Sequence, residues 1–146
     1  MNSNLKFRDI VSLFVALWFI SSACNTKQAE PIKLNVDNCE QCKMTVADLK
    51  FATELITSKG RVYKFDDLKC MVKYTKENQL QKATYFVPDH NDPSHLLPAE
   101  KAFFVKGDNV RTPMNGSIAS FALEQSANSF ASETQAALIT WEEVIK

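Results

Sequence analysis

Beyond an apolar run at the N-terminus, the hydrophobic and polar positions fall into two similar series. Phe51 to Thr57 mixes β-branched and apolar residues, and Ser58-Lys59-Gly60 supplies a turn. Arg61 to Phe65 then alternates polar and apolar positions, the period of a half-buried strand. Asp66 or Asp67 stands where a helix N-cap belongs, ahead of Leu68, Met71, Val72 and Thr75 at helical spacing. The polar run Lys76 to Gln81 ends that helix, and Ala83 to Val87 is a third strand closed by Pro88-Asp89. Residues 88–98 hold three prolines and read as a connector. The plan then recurs. Lys101 to Lys106 is a strand, Gly107-Asp108-Asn109 a turn, and Val110-Arg111-Thr112 a short return strand. Ile118, Phe121, Ala122 and Gln125 form a helical stripe running to Phe130, Leu138 to Trp141 closes the series as a strand, and a last turn holds Glu142 to Lys146. The expected fold is α+β: two small ββαβ-like halves, about 36–90 and 98–146. Each is a short antiparallel sheet with one packed helix. The order of elements suggests a duplication, although the two sequences barely align.

At the N-terminus, Lys6 and Arg8 precede Ile10 to Ile20, an apolar run too short to span a bilayer but suited to an export signal. Ser21-Ser22-Ala23-Cys24 follows and resembles a bacterial lipobox, with Ser21 where Leu is usual. The expectation is a lipoprotein signal over residues 1–23, removed so that Cys24 carries the lipid. Residues 24–35, polar and interrupted by Pro31, then form a flexible tether. The alternative is ordinary cleavage after Ala23, leaving Cys24 as a free thiol. Either way the protein works in the cell envelope. With lipid attached, it sits on a membrane surface without spanning it.

Composition narrows the chemistry. Lys+Arg and Asp+Glu are each 17, so no net field attracts nucleic acid or an anionic membrane. Three scattered glycines cannot write a phosphate-cradling loop, which argues against nucleotide binding. No Gly-x-Ser-x-Gly or His-Glu-x-x-His occurs, and the two histidines sit close together in the Pro-rich connector. A non-enzyme is expected.

Setting Cys24 aside leaves Cys39, Cys42 and Cys70, an odd number that cannot pair completely. In an oxidising envelope a leftover thiol needs a task. Met44 lies two residues after Cys42, Met71 directly follows Cys70, and Met114 follows Pro113. Thiolate and thioether are soft ligands suited to Cu(I), whereas Zn(II) rarely takes thioether. Cys39 reaches an ion shared with Cys42 and Met44 only through a turn. Cys70 falls in the first turn of its helix, where the dipole favours thiolate. Met114 is placed at the start of the second helix, so a pseudo-twofold would bring both helix starts to one cleft. Plainer readings stand beside these. Cys39 and Cys42 could form a disulfide or a redox pair, Met71 and Cys70 could be core, and His90 and His95 solvated loop residues. Asp66 and Asp67 read as caps rather than site residues.

Taken together, Cys39-Glu-Gln-Cys42-Lys-Met44, Phe65-Asp66-Asp67 with Cys70-Met71, and Thr112-Pro113-Met114 ahead of Phe121 resemble the NosL-type lipoproteins. These are accessory proteins of nitrous oxide reductase. The resemblance covers about residues 36–146. It implies a membrane-anchored Cu(I) metallochaperone of two ββαβ-like halves. Its partners would be nitrous oxide reductase, an ABC-type maturation complex and, through the acyl anchor, the lipid bilayer of the outer membrane, facing the periplasm. It implies copper ligands from Cys42, Met44 and Met114, with Cys39, Cys70 and Met71 as further candidates. The family often has Gly where Lys43 and Asn115 stand, so a different local backbone is expected at both. A Zn(II)-stabilised adaptor using the cysteines with His90 or His95, and a thiol–disulfide protein using Cys39 and Cys42, are the rival readings.

Overall fold

The structure is a computed structural model describing residues 27–146. The expected export signal and the expected lipidation at Cys24 lie outside the described residues.

The first half builds a four-stranded antiparallel sheet. β1 (Thr53–Thr57) pairs with β2 (Val62–Phe65) across the Gly60 turn, with Thr53 opposite Phe65. Gly60 sits at φ +82, a conformation that glycine adopts without Cβ strain. Helix α1 (Leu68–Glu77) follows directly and buries Leu68, Cys70, Met71 and Thr75. β3 (Ala83–Pro88) returns to the other side of β1, with Leu55 opposite Tyr85. The order so far is β2-β1-β3, with β4 (Leu96–Pro98) added at the outer edge of β3. The Pro-rich connector therefore contains a short strand. Its prolines occupy a strand end and an edge, where a missing N–H costs the sheet little.

A 3-10 turn (Ala99–Lys101) leads into the second half, which repeats the plan. β5 (Phe103–Lys106) is central, β6 (Ile118–Phe121) lies on one side and β7 (Ala137–Ile139) on the other, in the order β6-β5-β7. Helix α2 (Glu124–Thr134) connects β6 to β7. Both halves thus run central strand, flanking strand, helix, opposite flanking strand, all antiparallel. This is the two-unit ββαβ fold read from the sequence.

Three boundaries differ from the sequence reading. The return strand is Ile118–Phe121, not Val110–Thr112, and the helical stripe assigned to 118–125 starts only at Glu124. Asn115 and Ser117 take φ +52 and +56, left-handed values that break a helix entering there. Trp141 opens α3 (Trp141–Ile145) instead of ending a strand, because Thr140 and Glu143 form a capping box.

The main core draws on both halves: Cys39, Leu55, Phe65, Leu68, Met71 and Val87 pack with Phe104 and Val144. A second cluster of Val105, Val110, Ala119, Phe121 and Ala127 lies under α2. The middle of β5 is therefore covered on both faces, with Phe104 turned to one core and Val105 to the other. Trp141 stacks on Phe104 with centroids 5.7 Å apart and tilts against Tyr85 at 5.2 Å. The two halves consequently share one interior.

Candidate metal centre

The segment 35–46 folds into a tight loop closed by backbone pairing. Asn38 bridges Thr45, the Cys39 N–H donates to the Met44 carbonyl at 2.7 Å, and the Lys43 N–H donates to the Cys39 carbonyl at 2.9 Å. Lys43 takes φ +64 to close it. This turn places Cys39 and Cys42, three residues apart, on the side facing α1. The Glu40 N–H donates to the Lys64 carbonyl at 2.8 Å and pins the loop against β2. At that same C-terminal end of β2 the chain passes through Asp66 and Asp67 into α1, whose third residue is Cys70.

The ligand atoms of Cys39, Cys42, Asp66 and Cys70 all lie within 4.8 Å of one another. Cys39, Asp66 and Cys70 are buried, and only Cys42 reaches partly toward solvent. All three cysteines are free thiols. The Cys42 Sγ lies 3.6 Å from Asp66 Oδ1 as a hydrogen-bond donor.

Acidity is divided unevenly among the thiols. A hydrogen bond from Cys70, with help from the Cys42 and Asp66 backbone N–H groups, pulls Cys39 down to about 6 against its burial. Cys70 is pushed up because it supplies that hydrogen bond and is buried. Burial also raises Cys42. The thiolate expected at Cys70 from its helix position falls instead on Cys39. The directions of these shifts favour thiolate at Cys39 over the other two thiols.

Neighbouring aspartates have opposite duties. Asp66 faces the sulfurs. Asp67 caps α1 through the Lys69 N–H at 2.8 Å and reaches across to the second half. There it accepts from the Thr112 hydroxyl at 2.6 Å and the Met114 N–H at 2.9 Å. Thr112 Oγ1 in turn accepts from the Gly116 N–H at 2.8 Å. A Cβ at Gly116 would collide with Asp67 Oδ1, so only glycine admits this approach. The Met114 turn is thereby fastened to the start of α1. It precedes strand β6, not the second helix, and Met114 packs half-buried against the core cluster that contains Cys39 and Cys70.

The other sequence candidates sit elsewhere. Met44 projects outward, 56% exposed, from the loop that carries Cys42. Met71 is fully buried in the core beside α1. His90 lies among Phe51, Phe121 and Phe130 with centroids 5.0 to 5.4 Å away, and burial lowers its pKa. His95 is exposed beside Asp92. Neither histidine joins the cysteine cluster, so the fourth donor is Asp66. Sequence reasoning assigned Asp66 to capping; its neighbour Asp67 caps the helix, and a doubled Asp at one helix start was the available signal. Lys43 and Asn115, where the resemblance anticipated a changed backbone, both hold the left-handed conformation that glycine favours.

Residues 31–146 match the family model NosL. The copper-binding lipoprotein NosL of Stutzerimonas stutzeri is 29% identical over 147 residues, covering 90% of this chain and 77% of that protein. The crystal structure of the copper chaperone NosL from Shewanella denitrificans superposes with a TM-score of 0.69 at 24% identity. That match covers 80% of this chain and 95% of the other, and bears on the fold.

Proposed function

This chain belongs to the NosL family, and from that premise we propose that it carries Cu(I) and passes it on during nitrous oxide reductase maturation. The observation that carries the reading is the set of three sulfurs and one carboxylate within 4.8 Å, three of the four buried. Cu(I) favours soft sulfur donors and tolerates two or three of them. The Cys39 thiolate is the first donor an arriving ion meets in charged form. As Cu(I) also engages Cys42 or Cys70, their protons leave, because metal–thiolate bonds displace protons. Asp66 Oδ1 accepts from the Cys42 thiol and holds that sulfur in the cluster. Met44 stands at the solvent side of the loop and Met114 at the start of α1, thioethers suited to receive and release the ion by ligand exchange. Cys42 is the partly exposed member through which an acceptor's ligand can enter.

Anchoring is part of the same reading. Lipid on Cys24 would hold the carrier to a membrane facing the periplasm. Among the described residues no helix is long and apolar enough to cross a membrane. The ABC-type maturation complex and the reductase are its proposed partners.

Three thiols with a carboxylate also make a tetrahedral set acceptable to Zn(II). An anaerobic titration of residues 25–146 against chromophoric Cu(I) and Zn(II) chelators separates the two. The copper reading expects tight one-to-one Cu(I) binding, weakened at least a hundredfold by Cys39→Ser or Cys42→Ser. Zn(II) binding of comparable strength to the chelator competition, with Cu(I) affinity unmoved by either substitution, would contradict it.

A further inference from the structure

We propose that the groove between α1 and the second half is a docking surface for an acidic, partly apolar segment of the protein that exchanges copper with this one. The copper reading supplies the partner's identity; the groove's chemistry is independent of it. The groove encloses about 710 Å3. Leu68 and Val72 of α1 form its apolar floor together with Ile118 of β6 and Val144 of α3. Lys69, Lys73 and Lys76 follow one another at positions i, i+4 and i+7, a single stripe along the rim. That stripe spans about 10 Å of helix. Lys106 faces it from β5, while Glu77 and Asp108 are the acidic residues of the lining.

Of these, Lys69, Lys73 and Lys106 are weakly compensated. Lys69 donates to the main-chain oxygen of Met114, which carries no formal charge to cancel, whereas Lys76 is engaged by a main-chain oxygen of Lys146. Lys73 makes a solvent-exposed pair with Glu77 at 3.8 Å, a contact of little strength. The chain as a whole has no net charge, so this basic concentration is local. One end of the groove is formed by Asn115 and Gly116, the residues directly after Met114. A partner seated there lies against the Met114 turn and the start of α1, where Cys70 sits. Opposite charge on the partner would steer the encounter, and the apolar floor would hold it.

The test compares the wild type with Lys73→Glu/Lys106→Glu, both residues exposed and outside the copper ligands. Association with apo nitrous oxide reductase and with the solubilised maturation complex is followed by biolayer interferometry at low and high salt. Vesicles of phosphatidylglycerol and phosphatidylcholine form a third arm, and Lys50→Glu/Lys59→Glu controls for net charge. The expected result is at least tenfold slower association of the groove variant with one protein partner, a reduced salt dependence, and a much smaller effect of the control. Binding undiminished in the groove variant, equal loss in the control, loss confined to the vesicles, or no wild-type binding to either protein overturns the proposal. The Cu(I) titration of the same variant is expected to be unchanged. If the wild type failed to bind Cu(I) at all, the copper reading would fall while the docking result stood on its own.

Discussion

The chemistry turns on single side chains whose neighbours set their protonation. Cys39 is the acidic thiol because Cys70 donates to it and two backbone N–H groups point the same way. Thiolate absorbance at 240 nm is therefore expected to titrate in the metal-free protein near pH 6. In Cys70→Ser the midpoint stays well below the ordinary thiol value, since a hydroxyl still donates; in Cys70→Ala it climbs toward 9.0. A midpoint that ignores Cys70→Ala would refute the hydrogen bond as the cause. That the three cysteines are candidates for one shared site was legible from their odd number and their spacing, and the fold brings them together. Which of them carries the charge was not, because the helix-position argument at Cys70 omits a neighbour that only folding supplies. Lys43 and Asn115 teach a related lesson. Loop closure demands left-handed φ at both, and the backbone keeps that geometry with residues other than glycine, at a strain cost of order 1 kcal/mol each.

At the scale of elements, the junction between α1 and the Met114 turn ties the repeat together. Asp67 serves as helix cap and inter-half acceptor at once, and its carboxylate is almost fully buried. Replacing it with Ala removes the cap and leaves the Thr112 hydroxyl and the Met114 N–H without their partner. A loss of about 3 kcal/mol in urea unfolding is expected. Thr112→Val, which spares the cap, is expected to cost roughly 1–2 kcal/mol; equal and negligible losses for both would contradict the latch. This junction also marks where the sequence misled. Ile118 and Phe121 stand three apart and mimic a helical stripe, but β6 is buried on both faces and shows no polar alternation to betray it. In the first half, β2 keeps its polar–apolar alternation, and both strand and helix were readable there.

Across the whole molecule, the N-terminal segment is strapped over the first sheet. Lys27 Nζ donates to the Thr57 carbonyl at 2.6 Å, and the Glu30 N–H donates to both carboxylate oxygens of Glu54, at 3.0 and 3.2 Å. Lys64 Nζ reaches the Pro31 carbonyl at 3.0 Å. Glu54 is fully buried, and burial pushes its pKa up from 4.5 to about 7. A carboxyl raised in this way binds its proton more tightly when folded. Its contribution is fully present below pH 4.5 and is lost as pH rises through 7. Glu54→Gln is therefore expected to gain stability relative to the wild type between pH 5 and pH 8, by on the order of 2 kcal/mol. Parallel pH profiles in urea unfolding would rule this out. No pattern of polar and apolar residues announces the strap, since its contacts run through main-chain groups and a buried acid inside a strand. The duplicated architecture was legible because each half repeats the order of its elements. The shared core was not, because Phe104 and Val144 pack on the first half across long separations in sequence.

The central claim is that Cu(I) binds the sulfur cluster between the 39–44 loop and α1. Copper K-edge X-ray absorption of the anaerobically loaded one-to-one complex tests it most directly. The account predicts Cu(I) with a first shell of two or three sulfurs, losing one sulfur in Cys42→Ser. A shell dominated by nitrogen or oxygen, or one unaltered when Cys39 and Cys42 are both replaced by Ser, would contradict it.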